Sequence, residues 1–155
     1  MNRKAVFLIA TVLVLGWATS SAAQEQVGVR VGISGDPDQF FFGGHLQTDP
    51  LLDRLVFRPN AEVGIGDDLV LVAFNLEFAY KVPLDDNPWT VYFGAGPALN
   101  VFNYDDGHRR GDGGTDLEGG FNILLGAEHV GGLFTEFKVG ASHSPDLKFM
   151  VGYSF

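Results

Sequence analysis

Residues 147–155 read L-K-F-M-V-G-Y-S-F, and this alternation predicts how the rest of the chain folds. Side chains of a β-strand point alternately to its two faces. One face of this segment is wholly apolar and carries Leu147, Phe149, Val151, Tyr153 and Phe155. The opposite face carries Lys148, Met150, Gly152 and Ser154. A strand with one apolar face must place that face against a protein core or against lipid.

The same alternation recurs along the chain, interrupted by segments rich in Gly, Pro, Asp and Asn. The predicted strands are 27–34, 40–47, 55–65, 69–82, 89–102, 117–127, 133–141 and 147–155. Every connection is short enough to join antiparallel neighbours, and 103–116 is the one long loop. Proline cannot donate to a strand ladder, so we expect a bulge or a frayed stretch at Pro59 and at Pro97. The chain is therefore predicted to be all-β, with eight antiparallel strands in up-and-down order.

The start of the sequence has the layout of a cleavable signal peptide. A cationic head at residues 2–4 precedes an apolar run at 5–18 and small residues at 19–23. We predict cleavage after Ala23, which leaves residues 24–155 as one exported domain. Loss of Arg3 and Lys4 leaves 8 of the 10 Lys and Arg residues against 19 Asp and Glu, a net charge of −11. This acidity argues against nucleic acid as a partner, and the lack of cysteine excludes disulfide staples.

Alternation alone fits either a soluble barrel with an apolar cavity or a membrane barrel with an apolar exterior. The apolar faces carry about forty residues, whereas the interior of an eight-stranded barrel is only just wide enough for its side chains. The opposite faces consist mainly of Gly, Ala, Ser and Asn with isolated charges, and these do fit inside. We therefore predict that the apolar faces point outward to lipid, which makes the chain a transmembrane β-barrel.

Ten charged residues fall on the inner faces, five cations and five carboxylates. They are Arg30, Arg58, Glu62, Glu77, Lys81, Glu118, Glu128, Glu136, Lys138 and Lys148. Buried charges need partners, so these residues are predicted to pair into a closed network that plugs the bore. An ion or proton path along the same residues is the alternative, although eight strands leave too little bore for a porin.

Four aromatic residues are predicted to lie on one rim of the barrel. With a periplasmic start and an even number of strands, strand four ends, strand five begins and strand eight ends at the same rim. That rim would carry Tyr80, Trp89, Tyr153 and Phe155. Aromatic side chains favour the membrane–water interface, so this set is predicted to form an interfacial girdle.

The signal sequence, the eight alternating segments, G-A-G-P-A-L at 94–99 and G-Y-S-F at 152–155 resemble small bacterial outer-membrane β-barrel proteins of the OmpA/OmpX type. The resemblance covers the whole exported chain and implies an outer-membrane location. In that family the terminal aromatic is read by the barrel-assembly machinery, which implies an assembly signal at Tyr153 and Phe155. The loops differ from the family pattern, because only 103–116 is long, and this weakens any implied role in adhesion.

His143, flanked by Ser142 and Ser144, is the one place that hints at catalysis. Some outer-membrane barrels deacylate lipid A with a Ser–His–acid set near the last strands. Ser144 directly follows His143, however, so the two side chains would point to opposite faces of a strand, and no Glu follows Glu136. A solvated loop is the preferred interpretation.

We predict neither a metal site nor a cofactor. The 103–116 loop carries Asp105, Asp106, Asp112 and Asp116, but their spacing matches no known metal-binding loop. The glycines form no phosphate-binding loop. The tripeptide Arg110-Gly111-Asp112 resembles an integrin-type motif, and a match of three residues is expected by chance.

The sequence therefore predicts a monomeric, non-enzymatic barrel in the outer membrane of a Gram-negative-type bacterium, with a plugged polar interior. Its expected role is in membrane integrity or surface interaction. Its expected partners are the lipid bilayer and, during biogenesis, the barrel-assembly machinery. Two alternatives stay open: a lipid-modifying enzyme similar to a lipid A deacylase, acting through His143, and a soluble exported lipocalin-like carrier with the faces reversed.

Overall fold

The computed structural model describes residues 26–67, 69–104 and 115–155. The predicted signal peptide, its cleavage point and residues 105–114 of the long loop lie outside the described residues. The part of the chain that is described contains no helix long and apolar enough to cross a membrane.

Eight β-strands make up the described chain, in the predicted number and order. They are β1 (Gln26–Gly35), β2 (Gln39–Gln47), β3 (Leu55–Ile65), β4 (Leu69–Pro83), β5 (Trp89–Tyr104), β6 (Thr115–His129), β7 (Leu133–Ala141) and β8 (Leu147–Ser154). Each end lies within two residues of the predicted one, because the turn residues interrupt an otherwise continuous period of two.

The strands close into a barrel. Each strand pairs antiparallel with the next, and β8 pairs back with β1 from Gly28↔Ser154 to Gly35↔Leu147. Closure gives the backbone N–H and C=O groups of every strand a partner strand on both sides, which is the condition for a sheet inside a bilayer. The prediction of an eight-stranded antiparallel up-and-down barrel is confirmed. We call the end at which β1 begins and β8 ends the inner rim, and the opposite end the outer rim.

The two prolines disturb single ladders without changing the register. Pro59 pairs with Leu76 of β4, while the β2–β3 ladder stops one residue earlier, at His45↔Asn60. The β4–β5 ladder pauses opposite Gly96 and Pro97 and resumes in the same register. The missing proline N–H explains both gaps. The expected fraying occurs at both prolines, and the bulge does not.

The outward face of the barrel is apolar. Phe93 and Phe149 are 53% and 38% exposed, whereas Glu77 and Lys148 on the inner face are 1% and 4% exposed. The lipocalin-like alternative requires the reverse arrangement and is therefore wrong. Large apolar side chains cover the outside on all eight strands, as expected for a surface that contacts lipid.

The interior is more apolar than predicted. Besides polar groups it holds six large, almost fully buried side chains: Phe41, Leu71, Tyr92, Leu124, Phe134 and Met150. Glycines on adjacent strands make the room for two of them. A Cβ atom on Gly126 would overlap the Tyr92 ring, and one on Gly152 would overlap the Phe134 ring. The bore is therefore filled by side chains rather than lined by small polar ones.

Candidate functional site

Glu62 of β3 is the centre of the charged interior. Its Oε1 accepts hydrogen bonds from Arg30 Nη1 at 3.3 Å and Lys138 Nζ at 3.1 Å. Its Oε2 accepts from Lys148 Nζ at 2.8 Å. These three cations come from β1, β7 and β8, so one carboxylate links both sides of the seam that closes the barrel.

Lys138 carries the network on to Glu77 and to a group of asparagines. The Lys138 Nζ lies 2.8 Å from Glu77 Oε1. Glu77 Oε2 accepts a hydrogen bond from Asn60 Nδ2 at 2.7 Å. Asn75 donates to Asn60 Oδ1 at 2.7 Å, and Asn122 donates to Asn75 Oδ1 at 2.8 Å. This asparagine chain is not predicted from the sequence, because nothing in a strand pattern indicates which amides meet across the bore.

Glu136 holds a second centre. Its Oε2 accepts hydrogen bonds from Arg58 Nη1 at 3.1 Å and from the Tyr92 hydroxyl at 2.8 Å. Its Oε1 lies 3.6 Å from Arg30 Nη1. The Arg58 guanidinium also lies 4.6 Å from the centroid of the Tyr92 ring, a cation–π contact.

We call seven of the charged residues the lumen cluster: Arg30, Arg58, Glu62, Glu77, Glu136, Lys138 and Lys148. All seven are buried, and they are connected by ion pairs. Burial of so many charges is tolerated only when the charges neutralise one another, because the lumen offers them little water. Chemically, the cluster can close the bore and fix the register of five strands.

The other three predicted network residues lie apart from the lumen cluster. Lys81 and Glu128 form their own ion pair at 2.9 Å, with side chains 17% and 14% exposed. Glu118 is half-buried and forms no ion pair with the described residues. The prediction of a single network of ten residues is corrected accordingly, because the pairing depends on depth in the barrel, which the alternation does not encode.

A cavity of about 450 Å³ opens at the inner rim, next to the Lys81–Glu128 pair. Its wall consists of Gln26, Gln47, Thr48, Asp49, Pro50, Val56, Lys81, Glu128 and Phe155. Val56 also belongs to a buried apolar group with Ala79, Tyr92 and Leu124. That group lies at the deep end of the cavity, away from the inner rim. Its member Tyr92 already contacts the lumen cluster, because the Tyr92 hydroxyl donates to Glu136.

The β7–β8 loop, residues 142–146, covers part of the outer rim, and we call it the outer cap. Asn100 Nδ2 donates hydrogen bonds to the His143 carbonyl at 2.7 Å and to Ser144 Oγ at 3.3 Å. Pro145 is buried, and the Asp146 N–H donates to the Asp36 carbonyl at 3.3 Å. The cap is thus attached to β5 and to the β1–β2 turn.

His143 and Ser144, the residues considered for catalysis, belong to the outer cap. The His143 side chain is exposed, and Ser144 Oγ contacts Asn100. Among the described residues, no hydrogen bond joins the His143 ring to Ser144. The geometry therefore does not assemble a nucleophile with its base.

The aromatic residues predicted for the girdle all lie near the inner rim, in three pairs. The Tyr80 ring lies 5.7 Å from that of Phe93, and the Tyr153 ring lies 5.4 Å from that of Phe155. Trp89 packs edge-on against His129 at 5.1 Å. His129 Nδ1 in turn accepts a hydrogen bond from the Gly131 N–H at 2.9 Å, which fixes the ring at the turn.

One further polar contact is not predicted from the sequence. His45 Nε2 and Ser154 Oγ are 3.0 Å apart and buried, so they tie β2 to β8 across β1. Both side chains face the lumen and not the lipid. Within residues 26–67, 69–104 and 115–155, no three His, Asp or Glu side chains come close enough together to hold a metal ion.

Comparison with known proteins identifies structural neighbours only. No protein-family model matches the sequence, and no curated protein matches it. Neisserial surface protein A superposes with a TM-score of 0.65 at 14% identity, over 84% of this chain and 94% of that chain. The N-terminal β-barrel domain of Pseudomonas aeruginosa OprF gives a TM-score of 0.63 at 14% identity, over 84% and 96%. The outer membrane enzyme PagL gives 0.50 at 16% identity, over 84% and 98%.

These likenesses concern the fold, because all three identities are low. One of the three neighbours is an enzyme, so the architecture by itself does not choose between a catalytic and a non-catalytic role. The predicted resemblance to small outer-membrane barrels is confirmed at the level of architecture. The chain has the fold of the small eight-stranded outer-membrane barrels.

Proposed function

We propose that the protein is a monomeric integral barrel of the outer membrane of a Gram-negative-type bacterium. It neither conducts solutes nor catalyses a reaction, and it serves membrane integrity or surface interaction. The observation that carries the proposal is the arrangement of the two faces. Large apolar side chains cover the outside, while the lumen cluster closes the bore.

The outward face supports residence in a bilayer. A charged residue on the lipid face of a barrel costs about 2–4 kcal/mol at the bilayer midplane for Lys or Arg. Arg30, Arg58, Lys138 and Lys148 all point inward and are buried, so none meets this cost. A water-soluble barrel with the same exterior would expose an apolar surface far larger than soluble monomers tolerate.

The packed interior supports a role that does not depend on transport. Ion pairs cross the bore from β3 to β7 and β8, and Phe41, Tyr92 and Phe134 fill the space around them. The surfaces left for interaction are the outer loops and the lipid face. The neighbour named neisserial surface protein A is consistent with a surface role for a barrel of this size.

Two measurements test this proposal. The native protein should stay in the membrane pellet after a high-salt wash. In detergent, the unboiled protein should migrate differently from the boiled one on electrophoresis, because a closed barrel keeps its compact shape in mild detergent. Release by salt, or identical migration of the two samples, would contradict a membrane barrel.

A lipid-modifying enzyme is the second candidate, favoured by the likeness to the outer membrane enzyme PagL and by the exposed His143. Lipid A from cells that express the native chain or His143→Ala separates the two candidates. We expect the same acylation pattern in both samples and in cells without the protein. Deacylation by the native chain that is lost in His143→Ala would establish the enzyme instead.

We also propose that Tyr153 and Phe155 are recognised by the barrel-assembly machinery. Phe155 is well exposed at the inner rim, and its N–H donates to the Val27 carbonyl at 2.8 Å. Replacement of Phe155 by Ala should reduce the folded, heat-modifiable fraction in cells, while the purified variant still folds in detergent. Equal folded fractions in cells would contradict this role.

A further inference from the structure

Arg30 and Arg58 are almost fully buried, and both leave most of their donors without a partner within the part of the chain that the structure describes. Each is 1% exposed, and each contacts a carboxylate through Nη1 alone. Among the described residues, the Nε and Nη2 atoms of both side chains have no hydrogen-bond partner. A guanidinium carries five N–H donors, so three donors on each arginine have no acceptor within hydrogen-bonding distance. One buried acceptor nearby, Glu136 Oε1, also has no hydrogen-bond partner among the described residues.

The two guanidinium groups lie in one small region of the lumen. Glu136 stands between the two guanidinium groups, with Oε1 3.6 Å from Arg30 Nη1 and Oε2 3.1 Å from Arg58 Nη1. Both groups also flank the Phe134 ring, at 5.7 and 5.3 Å from its centroid. Arg30 pairs with glycine on both neighbouring strands, Gly43 and Gly152, so no side chain from those positions competes for its donors.

The lumen cluster also carries an excess of positive charge. It contains four cations, from two arginines and two lysines, against the three carboxylates of Glu62, Glu77 and Glu136. The Lys81–Glu128 pair is neutral and does not change this balance. The fifth carboxylate of the inner faces, Glu118, balances the total, but it is half-buried and forms no ion pair with the lumen cluster. An uncompensated charge in a buried site is costly, as are donors without acceptors. Water molecules would accept hydrogen bonds from these donors, but they would not neutralise the excess positive charge of the lumen cluster.

We propose that the lumen binds a small monovalent anion of the halide class, held by the Nε and Nη2 groups of Arg30 and Arg58. A single negative charge matches the excess of one cation. A small ion is required because both guanidinium groups are fully enclosed. The anion enters while the barrel forms, since the lumen cluster closes the bore afterwards.

Refolding in two salts tests the site. The full exported chain is refolded in detergent in sodium chloride or in sodium gluconate at equal ionic strength, and urea unfolding is followed by the gel shift. Gluconate is too large for the enclosed site. With chloride at 100 times its dissociation constant, the ratio of folded to unfolded protein should rise about 100-fold over gluconate. Superimposable curves in the two salts would overturn the proposal.

Variants distinguish a bound anion from a general salt effect. Arg58→Gln removes the excess charge and half of the donors, so the chloride response should disappear. The double variant Lys81→Gln/Glu128→Gln removes a lumen ion pair elsewhere and should keep the full response. A response that persists in Arg58→Gln, or that is lost in the double variant, would contradict the site.

Bromide provides a readout that does not depend on either variant folding. Crystals of the native chain refolded in sodium bromide should show an anomalous peak within hydrogen-bonding distance of a side-chain nitrogen of Arg30 and of Arg58. A map with no peak at that position would overturn the proposal, whatever the unfolding curves show.

Discussion

Glu62 is a single side chain that binds cations from three different strands. Arg30, Lys138 and Lys148 all donate to its carboxylate, so its removal leaves more than one buried charge without a partner. Loss of one partner from a buried ion pair is far more damaging than loss of an exposed pair. We therefore expect the Glu62 carboxylate to contribute more to the stability of the barrel than the other charged side chains of the interior.

Glu62→Gln should lower the free energy of unfolding by about 3–5 kcal/mol, the range for a broken buried ion pair. Urea unfolding of the refolded barrel in detergent measures the change. Glu118→Gln is the matched control, since Glu118 is half-buried and forms no ion pair with the described residues. Its effect should stay within about 0.5 kcal/mol, as for ordinary substitutions away from packed features. Equal losses in both variants would show that Glu62 holds no special position.

Two glycines of the same strand should respond in opposite ways to an added methyl group. A Cβ atom on Gly126 would overlap the Tyr92 ring and would lie 2.7 Å from the Thr135 carbonyl oxygen, whereas one on Gly119 meets nothing within 4 Å. Gly126→Ala should cost about 1–3 kcal/mol through overpacking. Gly119→Ala should be neutral or slightly stabilising. Unfolding midpoints in urea compare the two, and a loss of stability in Gly119→Ala alone would contradict the packing described here.

Sequence reasoning finds the inward position of each charge but not its partner. Glu62 and Lys138 are 76 residues apart, and their contact depends on the tilt and stagger of strands that are not neighbours. For the same reason Lys81 and Glu128 separate from the lumen cluster at the inner rim. The alternation places Tyr92, Phe134 and Met150 on the inner face. That these side chains fill the bore can be recognised only from the structure, which shows how narrow the bore is.

At the scale of a strand, β6 shows how the alternation separates the two environments. Asn122 and Leu124 are buried in the lumen, while Phe121, Ile123 and Leu125 are exposed on the outside. This pattern is periodic over many residues, which explains why strand ends can be predicted to within two residues from sequence alone. At Pro59 and Pro97 the sequence predicts an interrupted ladder but does not choose between a bulge and fraying; the barrel keeps its register across each missing N–H, so only fraying occurs.

The depth of a residue on the lipid face should determine the cost of a charge there. Ile123 lies at the middle of β6 and Leu117 lies near its outer end, and both side chains point outward. Ile123→Arg should lower the free energy of unfolding in lipid vesicles by about 2–4 kcal/mol, and Leu117→Arg by about 0–1 kcal/mol. Urea titration of vesicle-embedded barrels measures both. Equal costs at the two positions would mean that β6 does not cross the bilayer.

At the scale of the whole molecule, the bore is interrupted at successive depths. The outer cap lies over the opening at the outer rim, and the lumen cluster crosses the middle of the bore. The apolar group around Val56 closes the deep end of the cavity that opens at the inner rim. The 450 Å³ cavity is therefore a recess and not part of a channel.

The folded protein should not conduct ions. Reconstituted into planar lipid bilayers, it should give no stepwise currents under conditions in which a general porin does, because ion pairs and aromatic rings fill the bore. Gel-shift analysis of the reconstituted sample confirms that the barrel is folded. Reproducible single-channel steps from the folded fraction would contradict a closed lumen.

The ion pairs of Glu62 also affect how the strands can enter the membrane. Arg30 comes from the first strand, whereas Lys138 and Lys148 come from the last two, so a partial sheet of β1 to β6 would hold Glu62 and Glu77 without their lysines. Insertion of such a partial sheet into lipid would cost much free energy, because its carboxylates lack their lysine partners. Arrival of the final hairpin neutralises these carboxylates and joins β8 to β1 at the same moment. We therefore expect insertion to be concerted, with all eight strands needed before any part of the sheet enters the bilayer.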